Sequence, residues 1–442
     1  LSANYQTTDG FWRNEFLNNA KVVDDQENFG IDGRIVAALS DATELDVKAR
    51  YARLTGASIN FNASFHLPNF AAVNPAFYED VNTHPFRYYS NIRPTNRQET
   101  IEFSARLSHE WDNLKLTAWA LYSDVDQSLT ADGTSADFAR YTFPGTNATS
   151  QAVSAQCFAT TADLTGFPLN PPTFIGANPT PFIFDPVGGS TFGAYSPTTC
   201  DGTQLQVRQQ KDFSAEVRIA STGDGPISWS LGAYYLNIKR TTGVSLGADL
   251  GQGVLPTLYN APGSSNPTSQ LFNDRFNTDV IAGFGSIDWS PDDRFNAGLA
   301  LRYDIEDRRA TNLVPIATDP FTGGPINPGQ AGGPIPPQSA VFRQLQPKIT
   351  LRYRAADEAT LFANWGVGFK SGGFNNQGSA AIVDNAFNDG VTPGTINAGV
   401  QISDLYRKER SSAFEAGLKG SILDGAITYD IAGYYTQVRD MQ

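Results

Sequence analysis

The stretch Ala359–Asn376, ATLFANWGVGFKSGGFNN, decides how the rest of the chain is read. Leu361, Ala363, Trp365, Val367 and Phe369 fall on one parity, and Asn364, Gly366, Gly368 and Lys370 on the other. A strand turns successive side chains to opposite faces, so the spacing predicts one apolar face and one small or polar face. The alternation breaks at Ser371, Gly372 and Gly373 and gives way to a long polar segment that ends near Arg410. A short turn, a two-faced strand and a long loop make the unit that recurs along the chain.

The same alternation appears in 29–39, 45–51, 101–109, 114–123, 213–219, 227–235, 295–305, 414–422 and 427–435. With the partners that precede the turns at Pro291-Asp292-Asp293 and Ala355-Ala356-Asp357-Glu358, and with Leu1–Tyr5, about thirteen strands are expected. The remaining tight turns fall at Ser40-Asp41-Ala42-Thr43, Asp112-Asn113, Thr222-Gly223-Asp224-Gly225 and Asp424-Gly425. Every second connection is thus a turn of about two to four residues, and the others run to roughly 20–80. A sandwich or propeller has no reason to place its long loops on alternate connections. A transmembrane antiparallel up-and-down β-barrel does, with short periplasmic turns and long extracellular loops.

Composition agrees with an all-β class. The 442 residues include 40 Gly, 29 Phe and 17 Tyr but a single Met. The mean hydropathy of -0.30 would suit a soluble protein. No stretch approaches the roughly 18–20 apolar residues that a spanning helix needs. A barrel evades both tests, because only alternate residues face lipid. The net charge of -13 argues against nucleic-acid binding, which calls for a basic surface.

The polar parity carries opposite charges at short spacing, as in Glu102 and Arg106, Glu216 and Arg218, Arg302 and Asp304, and Glu415 and Lys419. Such a face suits a wet lumen. Trp111, Tyr122, Trp229, Trp289, Tyr353 and Tyr435 lie near strand ends, where aromatic girdles meet the membrane interfaces.

Catalysis finds no support in the sequence. His66, His84 and His109 are the only histidines and offer no metal spacing, and no nucleophile elbow, phosphate loop or CxxC is present. Asp384, Asn388 and Asp389 do not fit a calcium-loop pattern. No cofactor or metal is expected. Cys157 and Cys200, both in the longest loop (124–203), are expected to form a disulfide in an oxidising compartment.

Ligand capture falls to the long loops. Aromatic and arginine side chains there can stack on and pair with an organic metal chelate. The candidates are Phe86, Arg87, Tyr88 and Tyr89 with Arg93 and Arg97, and a second group of Arg140, Tyr141 and Phe143.

Gly368-Phe369-Lys370-Ser371-Gly372-Gly373-Phe374-Asn375 resembles the GFKSGGFN-type signature of TonB-dependent outer-membrane receptors, and especially siderophore receptors. Gly298–Tyr303, Ser412–Lys419 and Asp9–Asn14 are similar to further strand motifs of that family. The resemblance implies a barrel of about 22 strands closed by a plug. It also implies coupling to TonB, ExbB and ExbD, and contact with outer-membrane lipid and lipopolysaccharide. Residues 1–442 are expected to be a partial barrel domain. The plug, the TonB box and the final strands are not recognised within them. The cargo implied first is a ferric siderophore. Haem, cobalamin, saccharides or other nutrients suit the same fold, as does a structural or adhesive envelope barrel. Gly372 and Gly373 are expected to supply backbone angles that other residues resist. Gly368, Phe369, Lys370, Phe374 and Asn375 are read as architectural with them.

Overall fold

The computed structural model describes residues 1–58, 82, 86–88, 90, 92–133, 202–248, 254–264, 266–319, 323–388 and 399–442, with scattered positions between 148 and 180. Its principal element is one antiparallel sheet of 13 strands, each paired with its neighbour in the sequence of barrel strands. They are β1 (Ser2–Thr8), β2 (Gln26–Ser40), β3 (Thr43–Gly56), β4 (Thr95–Glu110) and β5 (Leu114–Asp132). Next come β6 (Gly202–Ser221), β7 (Ile227–Ala248), β8 (Thr268–Trp289) and β9 (Phe295–Asn312). The last four are β10 (Gln338–Ala356), β11 (Ala359–Lys370), β12 (Glu409–Ile422) and β13 (Ile427–Arg439). The sheet is open, with β1 and β13 as its edges. No described helix is long and apolar enough to cross a membrane.

The expected strand number and up-and-down order are both found. The tight turns are as short as Asp41-Ala42 and Asp357-Glu358, which join Ser40 to Thr43 and Ala356 to Ala359. At Asp424-Gly425 both residues have positive φ, 52° and 87°, and Ala426 N–H donates to Leu423 O. Leu423 also has a positive φ, 55°, so three of the four residues that join Ile422 to Ile427 are left-handed, with Asp424 and Gly425 at the centre of the turn. All six tight turns lie at one end of the sheet, and the long connections lie at the other.

Register carries one parity across the whole sheet. Tyr51 faces Ile101, Phe103 faces Tyr122, and Tyr122 faces Phe213. Ile287 meets Leu299, Leu299 meets Ile349, and Ile349 meets Trp365. These side chains stay exposed: Leu231 at 61%, Ile281 at 62% and Leu301 at 45%. An apolar face this broad and uncovered fits a lipid solvent. On β9 it runs from Phe295 to Ile305. At about 3.3 Å per residue and a tilt of about 40°, that covers roughly 25 Å, the height of a barrel's apolar band.

Aromatic pairs edge the band. Trp289 packs edge-on to Phe295 at 5.7 Å near the tight turns. Phe213 tilts against Tyr235, and Phe29 against Tyr51, at the other margin. Val367, on the same parity as the exposed Leu361, is covered to 6%.

The opposite face is polar, but of the charges expected to compensate one another two or four residues apart, Glu102 and Lys419 pair across strands instead. Most ion pairs run between neighbouring strands: Arg34 with Asp46, Arg50 with Glu102, and Lys419 with Asp430. Arg50 and Glu102, and Lys419 and Asp430, are direct register partners and Arg34 and Asp46 diagonal ones, all closer than residues four apart along an extended strand, so cross-strand pairing wins. Arg302 and Asp304 do pair along one strand, at 2.8 Å.

Several strands outrun their sequence signal. The segment read as a loop from Asp124 begins as strand through Asp132, and β7 and β8 each reach 22 residues. Above the apolar band both faces are wet, so the ladder continues without hydrophobic alternation. Cys157 and Cys200 lie outside the described residues.

Candidate functional site: the wide end of the barrel wall

At the end with the long connections, inward-facing side chains and folded loop segments form a polar mouth. Arg208 on β6 and Arg240 on β7 stand on the lumenal parity, opposite Thr242 and Gln210 respectively. Arg240 lies over the Phe276 ring at 5.2 Å, and Phe276 is its register partner on β8. Arg208 Nη2 donates to Gln210 Oε1 at 2.9 Å, and Gln210 Nε2 donates to Asp212 Oδ2 at 2.8 Å. Both arginines are exposed, and neither has a carboxylate within ion-pair reach among the described residues. Two such guanidinium groups beside an aromatic face can take an anionic, ring-bearing ligand through paired hydrogen bonds and stacking. Alternation predicts both positions, since 208, 210 and 212 continue the parity of 214, 216 and 218. The loss of apolar partners on the other face hid them.

A second group anchors the segment after β11. Ser371 Oγ donates to Glu306, Arg308 Nη1 donates to Gly372 O at 3.2 Å, and Arg308 is paired to Glu306 at 3.0 Å. Asn376, 3% exposed, donates through Nδ2 to Asp274 Oδ1 at 2.8 Å. Asn312 Nδ2 donates to the same oxygen at 3.0 Å. Burial pushes the Asp274 carboxyl above its ordinary range, and the two amide donors oppose that shift.

Gly372 and Gly373 do not serve as expected. Neither has a positive φ, so no special backbone angle is needed. A Cβ on Gly372 would overlap Tyr406 O and stand 2.5 Å from the Phe342 ring. A Cβ on Gly373 would overlap the Tyr406 side chain. The glycines are there for close approach: Gly373–Phe374 pairs with Leu405–Tyr406 across the base of the loop. Gly368 and Phe369 belong to β11, which Lys370 ends, and Asn375 N–H donates to Asp404 O at 2.7 Å.

The predicted loop candidates separate. The segment Arg87–Tyr88 pairs in parallel with Arg13–Asn14. Tyr88 is only 2% exposed, so it packs the loop and presents no surface to a ligand. Burial, reinforced by the Asp132 charge, raises its phenol well above the ordinary range. Around it Asn14 Nδ2 donates to Ser90 O at 2.9 Å, and Ser90 Oγ donates to Asp132 Oδ2 at 3.0 Å.

Phe86 remains 56% exposed and meets Trp12 edge-on at 5.4 Å. Arg93 and Arg97 line a crevice of about 700 Å³ with Lys21, Asp25 and Thr130. Arg97 stands on the outward parity and is paired with Glu99 at 2.7 Å. The Arg87 side chain and Tyr89, Arg140, Tyr141 and Phe143 lie outside the described residues. No group of His, Cys, Asp or Glu suited to a metal ion occurs among the described residues.

Residues 38–442 match the family model described as TonB dependent receptor-like, beta-barrel. No curated protein sequence matches the chain. Among solved structures, it is similar to the ferric yersiniabactin uptake receptor FyuA of Yersinia pestis, with TM-score 0.55 and 12% identity over 100% of this chain and 49% of that one. The ferric-catecholate import receptor Fiu of E. coli K12, in its closed form, gives TM-score 0.56 and 14% identity over 99% and 53%. The siderophore receptor PiuA of Acinetobacter baumannii gives TM-score 0.52 and 11% identity over 93% and 50%. The chain thus spans about half the length of these structures, and at such identities the likeness shows the fold alone.

Proposed function

Since this chain belongs to the TonB-dependent receptor-like β-barrel family of the Gram-negative outer membrane, we propose that it forms wall and mouth of an active importer of a ferric siderophore. The exposed pair Arg208 and Arg240, with Phe276 beneath Arg240, carries this reading. A ferric chelate of catecholate or carboxylate groups is anionic and planar in part, and guanidinium and ring faces complement both properties. The three structures named above take ferric or siderophore ligands by their titles, which agrees with the proposal.

In this reading residues 1–442 are part of a larger barrel that also holds a plug, with TonB, ExbB and ExbD supplying energy through it. Segment 371–376, tied to Glu306, Arg308 and Asp274, would in this reading border the bound ligand. The role is transport, not catalysis.

Labelled ferric-chelate uptake under iron limitation tests the proposal. A strain lacking the gene should lose uptake of one chelate of a panel, and the R208A/R240A protein should fail to restore it. Unchanged uptake across the whole panel in the deletion strain would overturn it.

A further inference from the structure

We propose that Lys348, Arg352 and Arg354 form a second anion site on the lumenal face of β10, which takes an anionic chelate on its way from the mouth to the tight turns. The site itself rests on the geometry of the wall, and only its ligand class rests on the import proposed above.

Lys348, Thr350, Arg352 and Arg354 follow one another on the inward parity of β10, in the stretch that runs down to the turn at Asp357-Glu358. Neither neighbouring strand opposes the three cations with an acid. Lys348 lies between Ala300 and Gly366, and Arg352 between Asn296 and Phe362. Arg354 faces Thr360. None of the three has a carboxylate within ion-pair reach among the described residues. Lys348 and Arg352 are exposed, and Arg354 Nε is buried without an acceptor among those residues.

Other cations of this face are answered where they stand: Arg34 by Asp46, Arg50 by Glu102, Arg302 by Asp304, Arg308 by Glu306 and Lys419 by Asp430. The row through Thr350 does carry two acids, Asp288 on β8 and Glu415 on β12, each two strands from β10. Asp288 leans toward Thr350 over Gly298, where an added Cβ would stand 2.5 Å from Asp288 Oδ1 and 2.6 Å from Thr350 Oγ1. Glu415 accepts a hydrogen bond from Asn364 Nδ2 at 3.3 Å. The column therefore keeps an excess of positive charge.

Its shape suits a mobile ligand. At about 3.3 Å per residue and a tilt of about 40°, Lys348 to Arg354 covers roughly 15 Å of depth on the periplasmic side of the lumen. Like charges along a low-dielectric wall add their fields, so a column draws an anion farther than a lone cation does. Two guanidinium groups two residues apart can share one carboxylate- or catecholate-bearing ligand through paired hydrogen bonds. Ala300 and Gly366 leave the flanks of Lys348 nearly bare, so an approaching ligand meets the ammonium first.

Phenylglyoxal labelling of arginines in the full-length protein in mild detergent, read by peptide mass spectrometry, tests the site. The probes are two anionic chelates, ferric dicitrate and a ferric tris-catecholate, and a neutral ferric trihydroxamate. Arg352 should be labelled in the free protein, and an anionic probe should slow that labelling about fivefold or more, in wild type and R208A/R240A alike. The neutral probe should leave it unchanged. If Arg352 is unlabelled without chelate, another part of the polypeptide covers the column and the proposal falls. Labelling unaffected by both anionic probes would sink it equally. With the same probes radiolabelled, K348A/R352A/R354A should bind chelate normally on energy-poisoned cells yet import it about tenfold more slowly. Unchanged heat-modified gel mobility would show that this variant is folded, and a wild-type import rate in it would overturn the transit role. Arg352 protected in a protein whose deletion costs no chelate uptake would remove the import reading and leave the anion site standing.

Discussion

Asn376 donates its side-chain N–H to Asp274 at 2.8 Å across 102 residues of sequence, tying the segment after β11 to the upper lumenal face of β8. The carboxylate is buried, and its partners are amides, not cations. Its pKa in the folded protein is therefore raised, chiefly by desolvation. A raised folded pKa means that the folded state holds the proton more tightly. This group's stabilising contribution is full below the unfolded carboxylate pKa of about 3.9 and is lost as pH rises through the folded value. Hydrogen exchange of 371–376 should accordingly show tighter closure as pH falls from neutrality, after correction for intrinsic rates. D274N should flatten that dependence. An unchanged slope in D274N would place the pH sensitivity elsewhere.

The two glycines at the base of the loop should respond unequally. A methyl group at 372 meets a backbone carbonyl and the Phe342 ring, neither of which can swing aside cheaply. A methyl group at 373 meets the tip of Tyr406, which is 43% exposed and has room to rotate. G372A should destabilise the loop base by about 1–3 kcal/mol and G373A by clearly less. Limited proteolysis within 371–408 reads the difference, with β11 and β12 protected in both variants.

Arg208 and Arg240 should matter separately for binding. Removing one guanidinium from a two-arginine anion site weakens affinity by about tenfold, equivalent to ~1.4 kcal/mol. R240A should also lose the stack on Phe276, and R240K should recover the charge without the planar donor fork. Binding of a radiolabelled ferric chelate to intact cells under energy poisoning isolates affinity from transport. Wild-type affinity in both alanine variants would remove the pair from the ligand site.

The wall was legible because lipid imposes a strict demand on alternate residues, as on β9 from Phe295 to Ile305. Where that demand ends, at Asp307 on β9 or Asp124 on β5, the strand continues by backbone pairing and leaves no composition signal. Arg208 and Arg240 sit in such extensions. Tyr88 shows the opposite limit. Its neighbourhood has the aromatic and arginine content of a binding loop, yet burial there depends on Asn14 and Asp132, far away in sequence. Glycine is ambiguous for a related reason: a sequence does not distinguish a positive φ from a close approach by Tyr406.

The two faces of one strand supply the sharpest check on the membrane assignment. Leu301 points outward and is 45% exposed, while Ala300 beside it points inward, opposite Lys348. If lipid covers the outer face, L301R should cost about 2–4 kcal/mol near the bilayer centre. A300E gains a cationic neighbour in a wet lumen and should stay within about 0.5 kcal/mol of wild type. Urea-dependent folding of the full-length protein into phosphatidylcholine vesicles, read by heat-modified gel mobility, gives both numbers. Equal cost for the two substitutions would mean that the outer face of β9 does not contact lipid.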